Sequence, residues 1–584
     1  MTARATRWAG PGYALALTCA VLAPLLRPGY LLLRDAVSTP RSYLSDAALG
    51  LGESAPRAVP QDFAVATASH LLDGGIVVKA LLAAGLWLAG CGAARLVSTV
   101  LPQAGLAGQF TAVTVAIWNP YVAERLLQGH WSLLVGYGCL PWVAATMLTL
   151  RTGSMLRGRA GRKALLPLVF WIALAGLTPT GLLLAAAVAL ACALATGTGW
   201  PRRLCAGVTS AVAAAVALPW LAASALGSSA VPGAPFAAEG VAAFSARAEP
   251  GLGTLASLAG LGGLWNADAV PPSRTTLFAL PATLVLLGVV ALGLPVVLRR
   301  RSAAPLLVLA AGSILVSAAM STGPGLDVLR TLTDGASGFG VLRDGQKWVA
   351  LAVPGYALAG AGAVVNLRRW LRPAAAALAC CAALILALPD LTWGVLGRVE
   401  SQRYPAGWPE VAAAINAEPR TVAELPAGDM RRFAWTGTAP VLDPLPRWVR
   451  ADVLTTGDLI VSGRTVPGEG SRARAVQTLL LSGADPAELA GAGVGWVVVE
   501  SGSDGEMGSA AKTLVRLTAA HRDADLSLYR AGGDTPGASA GRRRLAVAAH
   551  LVWLGLLAAG GAGMAVSGRR GRPVGQSAPS TAST

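Results

Sequence analysis

Apolar residues in this chain are gathered into long blocks, and this restricts its fold to very few classes. Blocks of about 15 to 24 apolar residues recur along the sequence between short polar segments. Roughly 20 apolar residues span the hydrocarbon core of a bilayer. Only 13% of the 584 residues are charged, against about 25% in an ordinary soluble domain. Because so few charges cannot cover a water-exposed globular surface, the blocks predict transmembrane helices.

The blocks predict an α-helical polytopic membrane protein with about 12 transmembrane helices. Two of the predicted spans are short and meet at Thr178-Pro179, so a single kinked helix or a re-entrant pair is an alternative there. The spans lie near residues 10–26, 76–96, 104–119, 132–150, 164–178, 181–197, 206–225, 277–297, 304–320, 348–366, 373–394 and 545–566.

Charged residues divide by sign between the two sides of these spans. Basic clusters such as 299–301 and 368–372 fall on one side with both termini, and the positive-inside rule identifies that side as the cytoplasm of a plasma (inner) membrane. The net charge of +17 therefore reflects topology, and no nucleic-acid partner is predicted. The acidic residues before residue 399 all fall on the opposite side: Asp35, Asp46, Glu53, Asp62, Asp73, Glu124, Glu239, Glu249, Asp268, Asp327, Asp334, Asp344 and Asp390.

The span pattern divides the chain into four parts. Residues 1–396 form a transmembrane domain whose long external loops are residues 27–75, 226–276 and 321–347. Residues 397–541 form a small α/β extracytoplasmic domain, 542–568 the final transmembrane helix and 569–584 a disordered cytoplasmic tail. Within the α/β domain the residue pattern predicts helices at Pro409–Ala417, Ala473–Ser482 and Ala510–His521, and strands at Thr421–Leu425, Gly495–Glu500 and Leu526–Arg530.

Asp35 and Asp46 in the first external loop are the first candidates for chemistry. Asp35 follows the first span closely, so its carboxylate lies near the membrane surface. A carboxylate there can take a proton from an acceptor hydroxyl or hold a divalent cation against a phosphate. The alternative is a solvated loop charge that pairs with Arg34 or Arg41.

The segment WNPYVAERLLQGHW, residues 118–131, is the second candidate. Asn-Pro ends the preceding span, and Glu124, Gln128 and Trp131 then follow at helical spacing, so one short helix can present all three. A carboxylate, an amide and an aromatic ring suit a sugar, and His130 can exchange protons. The alternative is interfacial anchoring by Trp and Tyr.

The segment GVLRDGQKW, residues 340–348, is the third. Arg343 and Lys347 are four residues apart at the bilayer surface, just before a span. Two cations at the positive end of a helix favour a phosphate or pyrophosphate. The alternative is a pair of snorkelling anchors with Arg343 bonded to Asp344.

Several other classes lack support. No Walker loop, GxSxG elbow or HExxH motif is present, and the seven cysteines show no CxxC spacing. Among charged residues only Lys79 falls well inside a predicted span, which weakens an ion-coupled transporter because transporters place ionisable groups near the midplane.

Taken together, these features resemble the GT-C superfamily of membrane glycosyltransferases. The resemblance is to the actinobacterial arabinofuranosyl- and mannosyl-transferase-like proteins and the related YfhO-type proteins. It rests on the acid-bearing first loop, the WNPYVAERLLQGHW segment, the LRDGQKW segment and an α/β domain near the C-terminus. It covers most of the chain as architecture with short, loose motifs.

The resemblance implies transfer of a sugar from a polyprenyl-phosphate donor to a glycan or glycolipid acceptor of the cell envelope, on the external face of the membrane. It assigns the role of base or metal-linked acid to Asp35, with Asp46 second. The acidic pair of this loop is not adjacent, which departs from the family and leaves the choice between the two open. Arg343 and Lys347 would hold the lipid phosphate. Glu124, Gln128, His130 and Trp131 would line the sugar or acceptor site, and a divalent cation is the one cofactor this reading admits. A non-catalytic scaffold for envelope polysaccharide assembly and a lipid or sugar transporter are the alternatives.

Overall fold

Helices dominate the computed structural model of the protein, which describes residues 3–53, 56–153, 159–227, 238–335, 337–461 and 464–569. The predicted tail at 569–584 lies outside the described residues from residue 570 onward. The helices are α1 (Ala3–Leu22), α2 (Gln61–Ala68), α3 (Gly74–Val100), α4 (Gly105–Ile117), α5 (Pro120–Leu127), α6 (Trp131–Thr152), α7 (Arg159–Ala175), α8 (Pro179–Ala193), α9 (Arg202–Leu226), α10 (Ala238–Ala243), α11 (Thr254–Ala259), α12 (Ala279–Leu298), α13 (Ala304–Met320), α14 (Gly323–Gly335), α15 (Val353–Leu367), α16 (Pro373–Leu386), α17 (Thr392–Gly397, left-handed at its centre), α18 (Gly407–Ala417), α19 (Leu445–Trp448), α20 (Ser471–Ser482), α21 (Pro486–Gly491), α22 (Ala511–Leu514) and α23 (Ala540–Arg569).

Each of the predicted spans coincides with a helix, but fewer than twelve helices have the length to cross a membrane alone. Within the described residues, seven are long and apolar enough, and up to nine if each of two bent pairs counts as one span. The seven are Trp8–Leu26, Gly74–Val100, Trp131–Thr152, Arg202–Leu226, Ala279–Leu298, Gly345–Leu367 and Ala540–Val566. The bent pairs are Ala304–Met320 with Gly323–Thr333, at 92°, and Pro373–Leu386 with Pro389–Gly397, at 77°.

The three remaining predicted spans are the shorter helices α4, α7 and α8. The last two are separate helices: α7 ends at Ala175, and α8 begins at Pro179, where the Thr178 hydroxyl accepts a hydrogen bond from the Gly181 amide. Both pack against α6. The chain is therefore a helical membrane protein in architecture.

Glycines allow the central helices to approach closely. A Cβ on Gly138 of α6 would collide with the backbone carbonyl of Gly85 on α3, and a Cβ on Gly293 of α12 would collide with the carbonyl of Ala359 on α15. Lipid supplies no hydrophobic driving force between helices, so the close packing that small residues allow is what holds such helices together. These crossings fix α3 against α6 and α12 against α15, and the polar cluster described below lies just before the first residues of α6 and α15.

A mixed sheet organises the α/β domain. The strands of the described residues are β1 (Tyr30–Leu33), β2 (Ala36–Val37), β3 (Ser401–Gln402), β4 (Val422–Leu425), β5 (Met430–Arg431), β6 (Val441–Leu442), β7 (Leu459–Val461), β8 (Arg464–Val466), β9 (Trp496–Glu500), β10 (Thr518–Arg522) and β11 (Leu526–Arg530). The strand order of the mixed sheet is β10-β11-β9-β4, with β4 parallel to β9 and the other pairs antiparallel.

One predicted helix of this domain is wrong. The segment Ala510–His521 is helical only over Ala511–Leu514, and Thr518–Arg522 is a strand paired with β11. The Asp523 carboxylate accepts hydrogen bonds from the amides of Asp525 and Leu526, which reverses the chain into a hairpin. Strand pairing here overrides the helical propensity of the segment.

The first loop, residues 27–75, is part of the α/β domain's structure rather than a separate appendage. Strand β1 pairs antiparallel with β3, and Leu32 and Val37 are buried in the same core cluster as Trp408 and Val498. This attachment holds the turn between β1 and β2, where Asp35 lies, in a fixed position.

Candidate active site

Asp35 lies in a turn whose backbone is held under strain. Its neighbour Arg34 has a φ of 49°, in the left-handed region that a non-glycine residue enters at a cost. The Arg34 amide donates to the carbonyl of Pro440, and its carbonyl accepts from the amide of Leu442. Its guanidinium donates to the carbonyls of Leu127 and Asp268, at 2.6 and 2.7 Å. Four hydrogen bonds to distant segments therefore maintain the strained turn.

The Gln128–His130 turn is shaped to meet Asp35. Asn119 caps α5, with Pro120 in the first turn, and α5 ends at Leu127, short of the single helix predicted to reach Trp131. Gly129 has a φ of 81°, and a Cβ there would collide with the amide of Ala36 and the carbonyl of Leu33. Only glycine satisfies both demands.

Two side chains of this turn bind one oxygen of Asp35. The Gln128 amide donates to Oδ2 at 3.0 Å, and His130 Nε2 lies 2.9 Å from the same oxygen. The Asp35 side chain is 35% exposed, and no described residue donates to its Oδ1. That oxygen is therefore available to a substrate.

The protonation state of His130 follows from its second partner. Arg125 Nη1 lies 3.0 Å from His130 Nδ1, and a guanidinium can only donate. Nδ1 must therefore accept, so the ring proton is on Nε2 and points at Asp35. Burial is the main cause that lowers the pKa of His130, which keeps the ring neutral. Burial acts to raise the pKa of Asp35, but the hydrogen bonds from His130 and Gln128 outweigh it and hold the pKa below its usual value. Asp35 is thus an ionised, oriented carboxylate.

Arg125 is the centre of the polar cluster. It is fully buried and binds both oxygens of Asp344, at 2.7 and 3.0 Å, as well as the amide oxygen of Gln346. Burial acts to raise the pKa of Asp344, but the Arg125 charge outweighs it and the pKa is strongly lowered. Through His130 and Asp344, Arg125 joins the first loop to the segment that enters the Gly345–Leu367 span.

Glu124 lies on the other side of this network. Its Oε2 accepts from the Leu264 amide at 3.1 Å and from Gln346 Nε2 at 3.0 Å. Burial, and then the nearby charge of Glu249, raise the pKa of Glu124 to about 8. At neutral pH the side chain is therefore mainly protonated. The loop at 226–276 also reaches the cluster through Asn266, which donates to Gln128 at 2.8 Å.

Glu124→Gln is expected to weaken the pH dependence of stability. The folded pKa of about 8 exceeds the usual 4.5, so the folded chain binds more protons in this window and the free energy of unfolding falls as pH rises from about 5 to 8. Glutamine does not titrate, so the fall becomes smaller; it does not vanish, because Glu249 and Glu424 also have raised pKa values. The unfolding midpoint, measured by thermal denaturation in nanodiscs across this range, tests the expectation.

The matched control for this substitution is Glu506→Gln, at an exposed position of the α/β domain. This control should leave the fall of the unfolding midpoint with rising pH as steep as in wild type. A Glu124→Gln variant whose midpoint falls as steeply as that of wild type would contradict the raised pKa of Glu124.

Lys347 and Arg343 add positive charge near the carboxylates of Asp35 and Asp344. Lys347 Nζ lies 3.8 Å from Asp344 Oδ2, and its charge helps to lower the pKa of Asp35. The Arg343 guanidinium lies 4.1 Å from the centroid of the Phe244 ring. Burial, and then the Arg57 charge, lower the pKa of Arg343 to about 10, which leaves it charged at neutral pH.

Two predicted site residues lie apart from this cluster. Asp46 binds Arg543 through both carboxylate oxygens, at 2.6 and 2.7 Å, and accepts from the Ala538 amide. Trp131 does not share a helix with Glu124, because α5 ends at Leu127 and the chain turns at Gly129, whose φ is positive. Its ring is 2% exposed and borders a cavity of about 240 Å³ between the first loop and the α/β domain.

Sequence reasoning passed over Arg125, Gln346 and Asn266. Arg125 stands inside the quoted WNPYVAERLLQGHW segment, directly after Glu124, so its charge was a usable signal. Gln346, at the start of the Gly345–Leu367 span, and Asn266, in a loop, are uncharged, and nothing in their spacing distinguishes them.

The cluster is a poor site for a divalent cation. Both oxygens of Asp344 accept from Arg125, and Asp35 Oδ2 accepts from two donors. Asp35 and Asp344 therefore leave a single free oxygen, with the charges of Arg125, Arg343 and Lys347 around it. Three cations against two ionised carboxylates suit an anion instead.

The fold is similar to that of the arabinofuranosyltransferase AftD from Mycobacteria, a GT-C enzyme known from a single-particle cryo-EM structure. The TM-score is 0.58 with 16% sequence identity, over 92% of this chain and 40% of AftD. No protein-family model and no curated protein matches the sequence. The chain thus spans well under half the length of AftD, and at this identity the likeness concerns architecture alone. The protein has a GT-C-like fold.

Proposed function

We propose that this protein is a GT-C-type glycosyltransferase that moves a sugar from a polyprenyl-phosphate donor to a cell-envelope acceptor. The observation that carries the proposal is the connected chain Asp35–His130–Arg125–Asp344–Lys347. It joins three separate segments, residues 27–75, 118–131 and 340–348, on a GT-C-like fold. An oriented carboxylate beside an excess of positive charge is what transfer from a phosphate leaving group requires.

In the proposed reaction Asp35 acts as the base. An acceptor hydroxyl attacks the anomeric carbon of the donor sugar and gives its proton to Asp35 Oδ1. The new carbon–oxygen bond forms as the bond from the anomeric carbon to the phosphate oxygen breaks. The polyprenyl phosphate leaves with that electron pair, and Lys347 and Arg343 stabilise its negative charge. No step needs a metal ion at this cluster.

Membrane placement follows from the charge division in the sequence. We place the cluster and the α/β domain outside the cytoplasm of the plasma membrane, with both termini inside. Basic clusters on the short loops of the opposite side support this orientation.

The cavity bordered by Trp131 is the proposed acceptor site. Its border also includes Tyr43, Arg57, Asp62 and Arg447. The half-buried ring of Tyr43 beside charged and hydrogen-bonding groups suits a glycan, because a ring stacks on an apolar sugar face while polar groups bind hydroxyls.

A transfer assay tests the proposal. The full chain is reconstituted in vesicles with a polyprenyl-phosphate donor whose sugar is radiolabelled, arabinofuranose first and mannose second, and an oligosaccharide acceptor. We expect label to move to the acceptor with at least one of the two sugars. Donor that stays intact with both sugars would count against transfer and in favour of a binding or scaffolding role.

Lys347→Gln is expected to raise the KM for the donor by about ten- to a hundredfold, since a hydrogen bond to a charged group contributes about 1.5–3 kcal/mol. The acceptor KM should change little. Lys512→Gln, at an exposed position of the α/β domain, is the matched control and should leave both constants at wild-type values. A larger effect on the acceptor KM than on the donor KM would contradict the phosphate-binding role.

A further inference from the structure

The α/β domain buries three carboxylates around one arginine. Arg431 Nη2 lies 3.4 Å from Glu424, Arg431 Nε lies 2.9 Å from Asp443, and Nε also binds Glu500. All four side chains are at most 4% exposed. None of them belongs to the Asp35 cluster, and none is used in the proposed transfer.

The fold brings these residues to one edge of the sheet. Glu424 is on β4 and Glu500 ends β9, and these two strands are parallel, so their carboxyl ends meet at the same edge. Arg431 is on β5, and Asp443 directly follows β6, which pairs with β5. The carboxyl edge of parallel strands is the usual position for a bound ligand in α/β sheets.

The charges of this cluster do not balance. Three carboxylates face one guanidinium, so two negative charges are in excess in a buried position, which is costly. One oxygen of each carboxylate also lacks a hydrogen-bond partner among the described residues: Glu424 Oε1, Asp443 Oδ2 and Glu500 Oε1. Asp443 Oδ2 lies near Arg431 Nε but outside hydrogen-bonding geometry. Buried oxygens in native proteins normally have a partner.

We propose that Glu424, Asp443 and Glu500 bind one divalent cation of the calcium and magnesium class. Oxygens of the three side chains lie within 4.8 Å of one another. Calcium takes oxygen ligands at about 2.3–2.6 Å, so ligands on opposite sides of the ion lie about 4.6–5.2 Å apart. An all-oxygen donor set selects hard cations. Two positive charges would also neutralise the excess of the cluster.

The cation would stabilise the strand that positions Asp35. Asp443 follows Leu442, whose amide donates to the Arg34 carbonyl, and Pro440 accepts from the Arg34 amide. An ion that joins the end of β6 to β4 and β9 therefore fixes the hairpin on which the strained turn rests. This inference does not depend on the proposed transfer, because it concerns metal content and stability.

Metal content and thermal stability test the proposal. The full chain in nanodiscs is stripped with EDTA, dialysed against CaCl₂ or MgCl₂, and analysed by inductively coupled plasma mass spectrometry and thermal unfolding. We expect about one ion per chain and a rise of several degrees in the unfolding midpoint with at least one of the two ions. Glu500→Gln should remain folded but require more than about tenfold higher cation concentration for the same rise.

Asp504→Asn is the matched control, since Asp504 is an exposed acid that closely follows Glu500. It should keep the wild-type ion content and midpoint shift. Two protons could balance the cluster instead, because burial, followed by the Asp443 charge, raises the pKa values of Glu424 and Glu500. Wild-type chain with no retained ion, or a Glu500→Gln variant with an undiminished cation-dependent shift, would overturn the proposal.

Discussion

Asp35→Asn is expected to lower the rate constant of sugar transfer by about 10²- to 10⁴-fold, the usual contribution of a general base. Asparagine keeps an oxygen that can accept from Gln128 and His130, so the turn should stay folded. What it loses is the negative charge that takes the proton at Oδ1. Transfer of radiolabelled sugar in reconstituted vesicles, with protein amount and unfolding midpoint measured in parallel, gives the comparison.

Asp46→Asn is the matched control for this experiment. Asp46 is also an acid of the first loop, but it pairs with Arg543 and lies apart from the Asp35 cluster. Its substitution should leave the transfer rate within about twofold of wild type, because the partly buried Asp46–Arg543 pair contacts no group of the Asp35 cluster. A rate lost in Asp46→Asn and kept in Asp35→Asn would exchange the two roles.

Arg125→Gln is expected to cause the largest loss of stability among single substitutions in the cluster. The guanidinium is fully buried and binds Asp344, Gln346 and His130. Removing one partner of a buried ion pair costs about 3–5 kcal/mol, since it leaves the other charge unpaired. The unfolding midpoint in nanodiscs should therefore fall by many degrees.

Two further variants separate this cause from a general effect of losing an arginine. Arg330→Gln removes the exposed pair with Asp327 and should cost about 0–1 kcal/mol. Asp344→Asn added to Arg125→Gln should recover part of the loss, because no unpaired charge is then buried. A double variant whose loss equals the sum of the two single losses would show that the pair is not coupled.

The helical architecture could be predicted from the sequence. Bilayer thickness sets the length of a span, and the need to satisfy backbone hydrogen bonds in lipid allows only helices and closed barrels. Apolar length located a helix at each predicted span. It could not reveal which spans are bent, such as Ala304–Met320 with Gly323–Thr333, since a bend depends on packing. The α/β domain was harder: Ala510–His521 contains a hairpin whose strand pairing is a non-local contact.

The candidate site was predictable only in part. Charge division placed Asp35, His130 and Lys347 on one side of the membrane, and the structure brings them into one network. Their connection runs through Arg125, whose partner Asp344 is 219 residues away in sequence. Such pairing cannot be read from local spacing. Asp46 stood as the second candidate beside Asp35, since its partner Arg543 is even more distant in the chain and could not be foreseen.

We propose that Asp35 and Lys347 act on one bound donor, and a cryo-EM structure with a hydrolysis-resistant polyprenyl-phosphate sugar analogue is the sharpest test of this arrangement. We expect density for the phosphate within hydrogen-bonding distance of Lys347 Nζ, and for the anomeric carbon on the side of Asp35 Oδ1. Analogue density at saturation elsewhere on the protein, with the Asp35 cluster unchanged, would contradict it.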